Sequence, residues 1–382
     1  MFVLVGVILS ICSILELSKQ VNTRSIYRVL LFFMSLMLIF RYGQGTDYHD
    51  YEQMYKYLYE NGDILSNALV HGEFGWYVLM MLSKRIGIEF DGFIAIISLV
   101  MMFFTYKAFE KYSKSKIFSL LLLYPTYFLT YYYSAIRQGL VLSIFLYLGV
   151  KYLLEKKYTY YYILVFILTQ FHMASVILFV IPLGINLLKL NRCMFILSAV
   201  VLAVILSSTG LLGMLMAGRG YTDVTVSYLA IVLRISLYFI VSTLHYKINK
   251  ISKDRTESIL FDIYTLGITV YLSLLFYATL SQRITMPLKA VEVFLIPLQL
   301  HLINEYLTHK LNISIITVKV FSNIKIIGYA IVLILMLDVE LVKNIYSYIS
   351  QGNYYEWVNA INYPYISIFD KEEIFHYIPY FK

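Results

Sequence analysis

Residues 117–157 read IFSLLLLYPTYFLTYYYSAIRQGLVLSIFLYLGVKYLLEKK. Two apolar runs, 117–133 and 138–154, meet at Arg137, and the second ends on Lys151, Lys156 and Lys157. Each run is about 17 residues, the short end of what a helix needs to cross a hydrocarbon core. Backbone polar groups in lipid are satisfied only within a helix or a closed barrel. The stretch therefore reads as a transmembrane hairpin that turns at Arg137 and returns to a lysine-rich edge.

The pattern repeats along the whole chain. Of 382 residues, 60% are hydrophobic and 14% charged, where soluble domains carry about 25% charged. Mean hydropathy is +0.72. The expected fold is an all-α, polytopic membrane protein of about twelve spans (range ten to thirteen) in one domain covering residues 1–382. The spans are 1–18, 26–40, 91–109, 117–133, 138–154, 158–171, 172–188, 193–211, 227–247, 259–280, 284–305 and 326–343. Lysines 107, 111, 114 and 116, lysines 247, 250 and 253 with Arg255, and the other basic clusters then share one side. That side is cytoplasmic by the positive-inside rule, which leaves both termini outside. Residues 1–18 lack a basic leading segment, so they read as an uncleaved first span.

Residues 74–88 (FGWYVLMMLSKRIGI) would invert this charge bias if they spanned. They are expected to be an amphipathic helix on the outer surface, with Lys84 and Arg85 snorkelling. The pair 158–171 and 172–188 is short for two full spans and predicts a tilted or partly re-entrant hairpin turning near His172. The outer face is then left with a loop at 41–73, a turn at 134–138, a Gly-rich loop at 212–226, the turn Ser281-Gln282-Arg283 and an aromatic tail from 344 to 382.

Composition also excludes. The net charge of +8 is spread over short loops, with no basic patch or tail to bind nucleic acid. Cys12 and Cys193 have neither disulfide nor metal-type spacing. There is no metal motif and no phosphate-cradling glycine loop, so no metal, no cofactor and no nucleotide substrate are expected. The 38 tyrosines and 25 phenylalanines fit interfacial belts, with sugar stacking as a use for a few.

The informative residues are polar groups written into or beside apolar helices. A lipid-embedded arginine costs roughly 2.5–3.5 kcal/mol even on the gentler insertion scale. Arg41, Arg137 and Arg283 are nevertheless all expected at the outer face, where an anion between them would explain the grouping. Arginine holds two phosphate oxygens at once, as lysine cannot. Gln138 and Gln282 sit beside two of these arginines. In RYGQGTDYHDYEQMY (41–55), Gly43 and Gly45 suit a tight loop. Asp47 can orient Arg41 or contact sugar hydroxyls, with Tyr48 beside it. In LTQFHMASV (168–176), His172 is a candidate general base. Arg234 lies roughly 10 Å into its span at 1.5 Å per residue, a depth that demands an acidic partner or a wet cavity. Arg219 in the Gly-rich loop is the weakest candidate. His245, His301 and His309 read as structural.

These motifs together resemble the EpsG/Wzy group of bacterial polysaccharide (O-antigen) polymerases. RYGQGTDYHDYEQMY resembles its outer-loop signature, AIRQGLVLSIFLYLGVKYLLEKK its Arg-Gln helix and FHMASVILFVIPL its Phe-His helix. The Arg283 run (R-x-x-x-P-x-x-x-V-x-x-F) and the late Pro364-Tyr365 segment also fit. The resemblance implies a metal-independent glycosyltransferase-type enzyme in the bacterial inner membrane. Such an enzyme joins oligosaccharide units carried on undecaprenyl diphosphate, with a flippase and a chain-length regulator as pathway partners. His172, Arg137, Arg283 and Asp47 are the expected catalytic set. Arg41, Gln138, Tyr48, Arg234, Arg219 and Gln282 are the expected substrate-binding set. A lipid-linked oligosaccharide flippase and a membrane acyltransferase or ligase are the alternatives.

Overall fold

Apolar continuity and the scarcity of helix breakers make the chain helical almost wherever it is described. The computed structural model describes residues 1–18, 23–43, 45, 47–58, 73–209, 226, 228–310, 328–343 and 365–373. In chain order the helices are α1 (Phe2–Leu17), α2 (Arg24–Ile39), α3 (Tyr48–Lys56), α4 (Phe74–Arg85), α5 (Phe90–Tyr112) and α6 (Lys116–Leu123). They continue as α7 (Ile136–Leu154), α8 (Tyr158–Thr169), α9 (Met173–Leu190, its first eight residues wound tighter), α10 (Arg192–Thr209) and α11 (Tyr228–Asn249). The last are α12 (Arg255–Ser273), α13 (Ala278–Lys289), α14 (Glu292–Lys310) and α15 (328–343). No strand forms among the described residues; Arg41 and Ser367 make an isolated antiparallel bridge.

Five of these helices, α5, α7, α9, α10 and α11, are long and apolar enough to cross a bilayer. The pair α13–α14, bent by 46° at its break, makes a sixth if it is one span. Helices α1 and α8 are apolar but shorter.

The chain packs as two units, one formed by residues 1–147, 166–173 and 323–382, the other by 148–165 and 174–322. In the first, α1 packs on α6 and α2 on α5, and α5 lies along α7. Glu16 of α1 accepts from Phe118 N at 3.0 Å, meeting a donor that α6 leaves open in its first turn. Gly6 leaves room for Leu341 of α15, whose Cδ2 would lie 2.6 Å from a Cβ there. Beyond α6 the coil widens to a π-helix over Tyr124–Tyr132, with Tyr133 N bonding Phe128 O at 2.9 Å and Ala135 N bonding Thr130 O at 3.0 Å. Pro125 sits at its start and has no N–H to give the regular ladder.

In the second unit α12 is central, packed by α9, α10, α11, α13 and α14. Gly184 and Gly267 permit the close approaches: a Cβ at either would lie 2.7 or 2.8 Å from Leu266 or Leu288. A buried polar chain crosses its interior. His245 Nδ1 lies 2.9 Å from Glu257, Gln299 donates to Glu257 at 2.7 Å, and Arg192 pairs with Asp262 at 2.5 Å. His245, read from the sequence as structural, is held in this chain by Glu257.

Several boundaries differ from the sequence reading. The loop at 41–73 contains α3, because Tyr48, Tyr51 and Tyr55 form an apolar stripe buried against α4 and α5. Residues 59–72 lie outside the described residues. The helix expected at 74–88 forms, but Trp76 and Met80 are fully buried. Lys84 does not snorkel; it donates to Tyr55 O and Lys56 O, at 3.0 and 2.6 Å, closing the end of α3. The run 259–280 breaks at 274–277, where Leu274, Tyr277 and Leu280 gather into an apolar cluster with Leu206. Ser281, Gln282 and Arg283 consequently fall within α13 and not in a turn. The run 284–305 is divided at Ala290–Val291, between α13 and α14.

Candidate functional site

Three segments of the first unit converge on one buried carboxylate. The first is the return into α7. Gly139 has no Cβ; one would lie 2.7 Å from Tyr131 O and 3.0 Å from Met101 Sδ. The absence of that atom lets α7 start tight against the π-helical coil, which fixes Arg137 and Gln138 in its first turn. The second is the end of α8, which stops at Thr169; His172 N still bonds Leu168 O at 3.1 Å. The third is the start of α4. Trp76 N reaches Gln170 O at 3.3 Å, and Gly75 lies so close to Gln170 that a Cβ would meet it at 3.0 Å. Docking α4 on this turn brings Glu73, at the N-cap position of α4, to His172.

Glu73 Oε1 lies 3.0 Å from His172 Nδ1 and accepts from Met173 N at 3.4 Å. Its Oε2 accepts from Arg137 Nη1. On the far side of the imidazole, Gln138 Nε2 lies 2.8 Å from His172 Nε2. Arg137 Nε donates to Tyr51 Oη at 3.3 Å, and its guanidinium stacks over the Tyr51 ring at 5.1 Å. The Glu73 side chain is 7% exposed, His172 15% and Arg137 22%. The cluster is thus sheltered on its carboxylate side and open towards the guanidinium.

This geometry dictates a tautomer. A carboxylate beside Nδ1 requires the proton there, so Nε2 of the neutral ring carries the lone pair and accepts from the Gln138 amide. Gln138 Oε1 is buried without a hydrogen-bond partner. If His172 takes a proton at Nε2, rotation of the amide turns that oxygen to receive it. Gln138 can therefore serve either protonation state of the ring. A base held by an orienting acid in this way is the arrangement that positions histidine for proton transfer.

The remaining candidates are distributed as follows. Arg41 is fully buried beneath Tyr133, 4.9 Å from the ring centroid. Its Nη1 donates to Leu38 O at 3.2 Å, while Nε and Nη2 meet no hydrogen-bond partner. The backbone around it is strapped by the tail, through Tyr42 N to Ile366 O and Ile368 N to Phe40 O. Gly43 and Gly45 take φ of 62° and 116°, the freedom expected of them. Asp47 takes the N-cap position of α3. Its negative charge, after burial, helps hold the Asp50 carboxyl above the usual carboxylate range. Tyr48 is buried, its hydroxyl donating to Asp91 at 3.2 Å. In the second unit, Arg234 is paired with Glu292 at 2.9 and 3.1 Å, the side chains 8% and 3% exposed. That is the acidic partner its depth demanded. Arg283 is half-buried and Gln282 exposed on α13. Arg219 and the rest of its Gly-rich loop lie outside the described residues.

Sequence reasoning brought Arg137, Gln138 and His172 forward, and the structure unites them. It missed Glu73, which is 99 residues from His172 in the chain. The one available signal was an acid immediately before an amphipathic helix.

Repeated long apolar helices, with a carboxylate, an imidazole and a guanidinium held together inside, define a multi-pass helical membrane protein with a built polar site. Residues 24–350 match the model of the EpsG family, and the chain belongs to that family. It is thereby a membrane protein of polysaccharide biosynthesis, in a family associated with glycosyltransferase-like polymerisation. Neither a curated protein nor a solved structure matches it.

Proposed function

We propose that this chain polymerises oligosaccharide repeat units carried on undecaprenyl diphosphate into O-antigen or a related surface polysaccharide. It works at the outer face of the bacterial inner membrane, with about twelve spans and both termini outside. The observation that carries this reading is His172 set between Glu73 and Gln138, with Arg137 on the other oxygen of Glu73.

In the reaction, a hydroxyl of the incoming unit attacks the anomeric carbon of the growing chain. The new glycosidic bond forms as the bond from that carbon to the lipid diphosphate breaks. The Gln138 amide swings off His172 Nε2 to admit the hydroxyl, whose proton passes to that nitrogen, and Glu73 stabilises the imidazolium that results. Negative charge collects on the departing diphosphate, where fixed cations stabilise the transition state. Arg137 is suited to this, because among the described residues its Nη2 has no protein partner and its side chain is partly open. Arg283, in the second unit, stays an expectation from the sequence and is assigned no step here. Arg41, buried under Tyr133, contributes its field and not a contact. His172, with a built-in orienting acid, is preferred over Asp47 as the base. Arg234 is accounted for by Glu292.

The test is a chain-length ladder on a gel, in cells whose own polymerase gene is deleted. Arg137→Ala and His172→Ala should leave protein level intact and reduce the product to a single repeat unit. A normal ladder from either variant removes that residue from the mechanism. Stranding of units on the cytoplasmic side would point to a flippase.

A further inference from the structure

At the opposite chemical extreme from the buried cluster, the second unit holds a cavity of about 610 Å³. Its lining includes Lys156, Lys189, Lys253 and Arg255, which lie at or beside helix ends that the charge bias assigns to the cytoplasm. Among the described residues none of these four cations makes a close ion pair, although Lys189 lies within the field of Asp262. The two acids of the lining are already engaged: Asp254 accepts from Glu257 N at 2.8 Å as the cap of α12, and Asp262 is bound to Arg192 at 2.5 Å. Asp262 is 3% exposed, and Asn249, also in the lining, donates to His245 at 2.8 Å. The wall is thus fixed from behind by the buried polar chain of this unit.

Two further features set the cavity apart from an ordinary basic membrane edge. Lys156 and Lys253 are the only non-glycine residues with positive φ among the described residues, at 55° and 46°. An L-residue in that region costs roughly 1–2 kcal/mol, which glycine avoids. At both positions of the cavity wall the chain carries a cation where glycine would be easier. The wall also has an apolar part, Leu153, Ile185 and Ile259, which a free anion does not need.

We propose that this cavity binds the phosphate headgroup of an anionic lipid. The four cations meet the phosphate, and the three aliphatic side chains receive the first methylenes of the acyl chains. Basic pockets between spans on the cytoplasmic side are suited to this chemistry.

The experiment uses the purified full chain in detergent and native mass spectrometry. Cardiolipin, phosphatidylglycerol, phosphatidylcholine and inorganic diphosphate are titrated separately. The wild type should retain the two anionic lipids in preference to phosphatidylcholine. K156A/K253A should weaken that retention by about thirtyfold, from two lysines near a phosphate. K107A/K111A, which removes two inner-face lysines elsewhere, should leave it within a factor of about two. Equal loss from both double variants would show only a general charge belt and overturn the site. So would equal retention of phosphatidylcholine. Diphosphate binding that depends on Lys156 and Lys253, without lipid retention, would overturn the lipid assignment. Both lysines are exposed, so the thermal midpoint of K156A/K253A should match the wild type and exclude misfolding. Loss of this site would leave the chain-length reading of the other unit untouched.

Discussion

Replacing Glu73 with glutamine tests the buried cluster most sharply, because the amide cannot satisfy both neighbours. With its oxygen towards His172 Nδ1, its NH2 group faces the Arg137 guanidinium, donor against donor. Turned over, it satisfies Arg137 but forces the imidazole into the other tautomer and moves the lone pair away from Nε2. A general base is worth roughly 10²–10⁴ in rate, or about 3–5 kcal/mol of barrier. Glu73→Gln should therefore slow polymerisation by about that factor. Breaking a fully buried ion pair costs about 3–5 kcal/mol of stability. Arg137 is 22% exposed, so water takes up part of its charge, and about 1–3 kcal/mol is expected here. The assay is the length ladder together with turnover of a synthetic lipid-diphosphate donor across pH, with protein level and thermal midpoint measured in parallel. Chain growth with an altered pH profile in Glu73→Asp, and little in Glu73→Gln, fits an orienting acid. The double variant Glu73→Gln/His172→Ala should be no worse than His172→Ala alone, because the acid acts through the base. Wild-type rate and pH profile in Glu73→Gln, with His172→Ala dead, would refute the reasoning.

Other expectations follow from the same geometry. Arg234→Met or Glu292→Leu alone should each destabilise by about 3–5 kcal/mol, and the double change should recover most of it; thermal unfolding in detergent measures both. At Gly45, φ is 116° and a Cβ would lie 2.9 Å from Tyr133 O, so Gly45→Ala should cost about 1–3 kcal/mol of strain, read the same way. Gly139→Ala should push α7 off the coil before it and carry Arg137 and Gln138 with it; a normal ladder from this variant would mean that the close approach is dispensable. Cysteines placed at Arg137 and Arg283 in a Cys12→Ser/Cys193→Ser background should both react with an impermeant thiol reagent from outside. Labelling of only one would break the expectation that both face the outside.

What was legible in the sequence was whatever repeats along one helix or follows one solvent boundary. The apolar runs at 91–109, 193–211 and 227–247 became α5, α10 and α11 within a few residues, because burial and lipid both reward the same local pattern. The turn near His172 was legible for the opposite reason: the run 158–188 is too long for one span and too short for two full ones, and of its two helices α9 alone reaches spanning length. Positions 274–277 (LLFY) carry no glycine or proline, so the break there was invisible. It comes from packing against Leu206 in another helix, which no local pattern encodes. Glu73 escaped for the same reason: its meaning lies in partners that the fold brings from 64 and 99 residues away. Arg234 was legible in part, since its depth required an acid without saying which one.

The π-helical coil from Tyr124 to Tyr132 has a consequence for how this family can vary. In an α-helix each residue turns the chain by about 100°, and a wider coil takes up an additional residue without lengthening the element in proportion. The azimuth at which Arg137 and Gln138 leave the coil is therefore set by a residue count as much as by residue type. Dropping one position between Leu123 and Ser134 would let the coil tighten into regular geometry, still apolar and still able to fold. It would also swing the guanidinium and the amide to another side of the bundle. Length, in this stretch, is under the same constraint as a functional side chain.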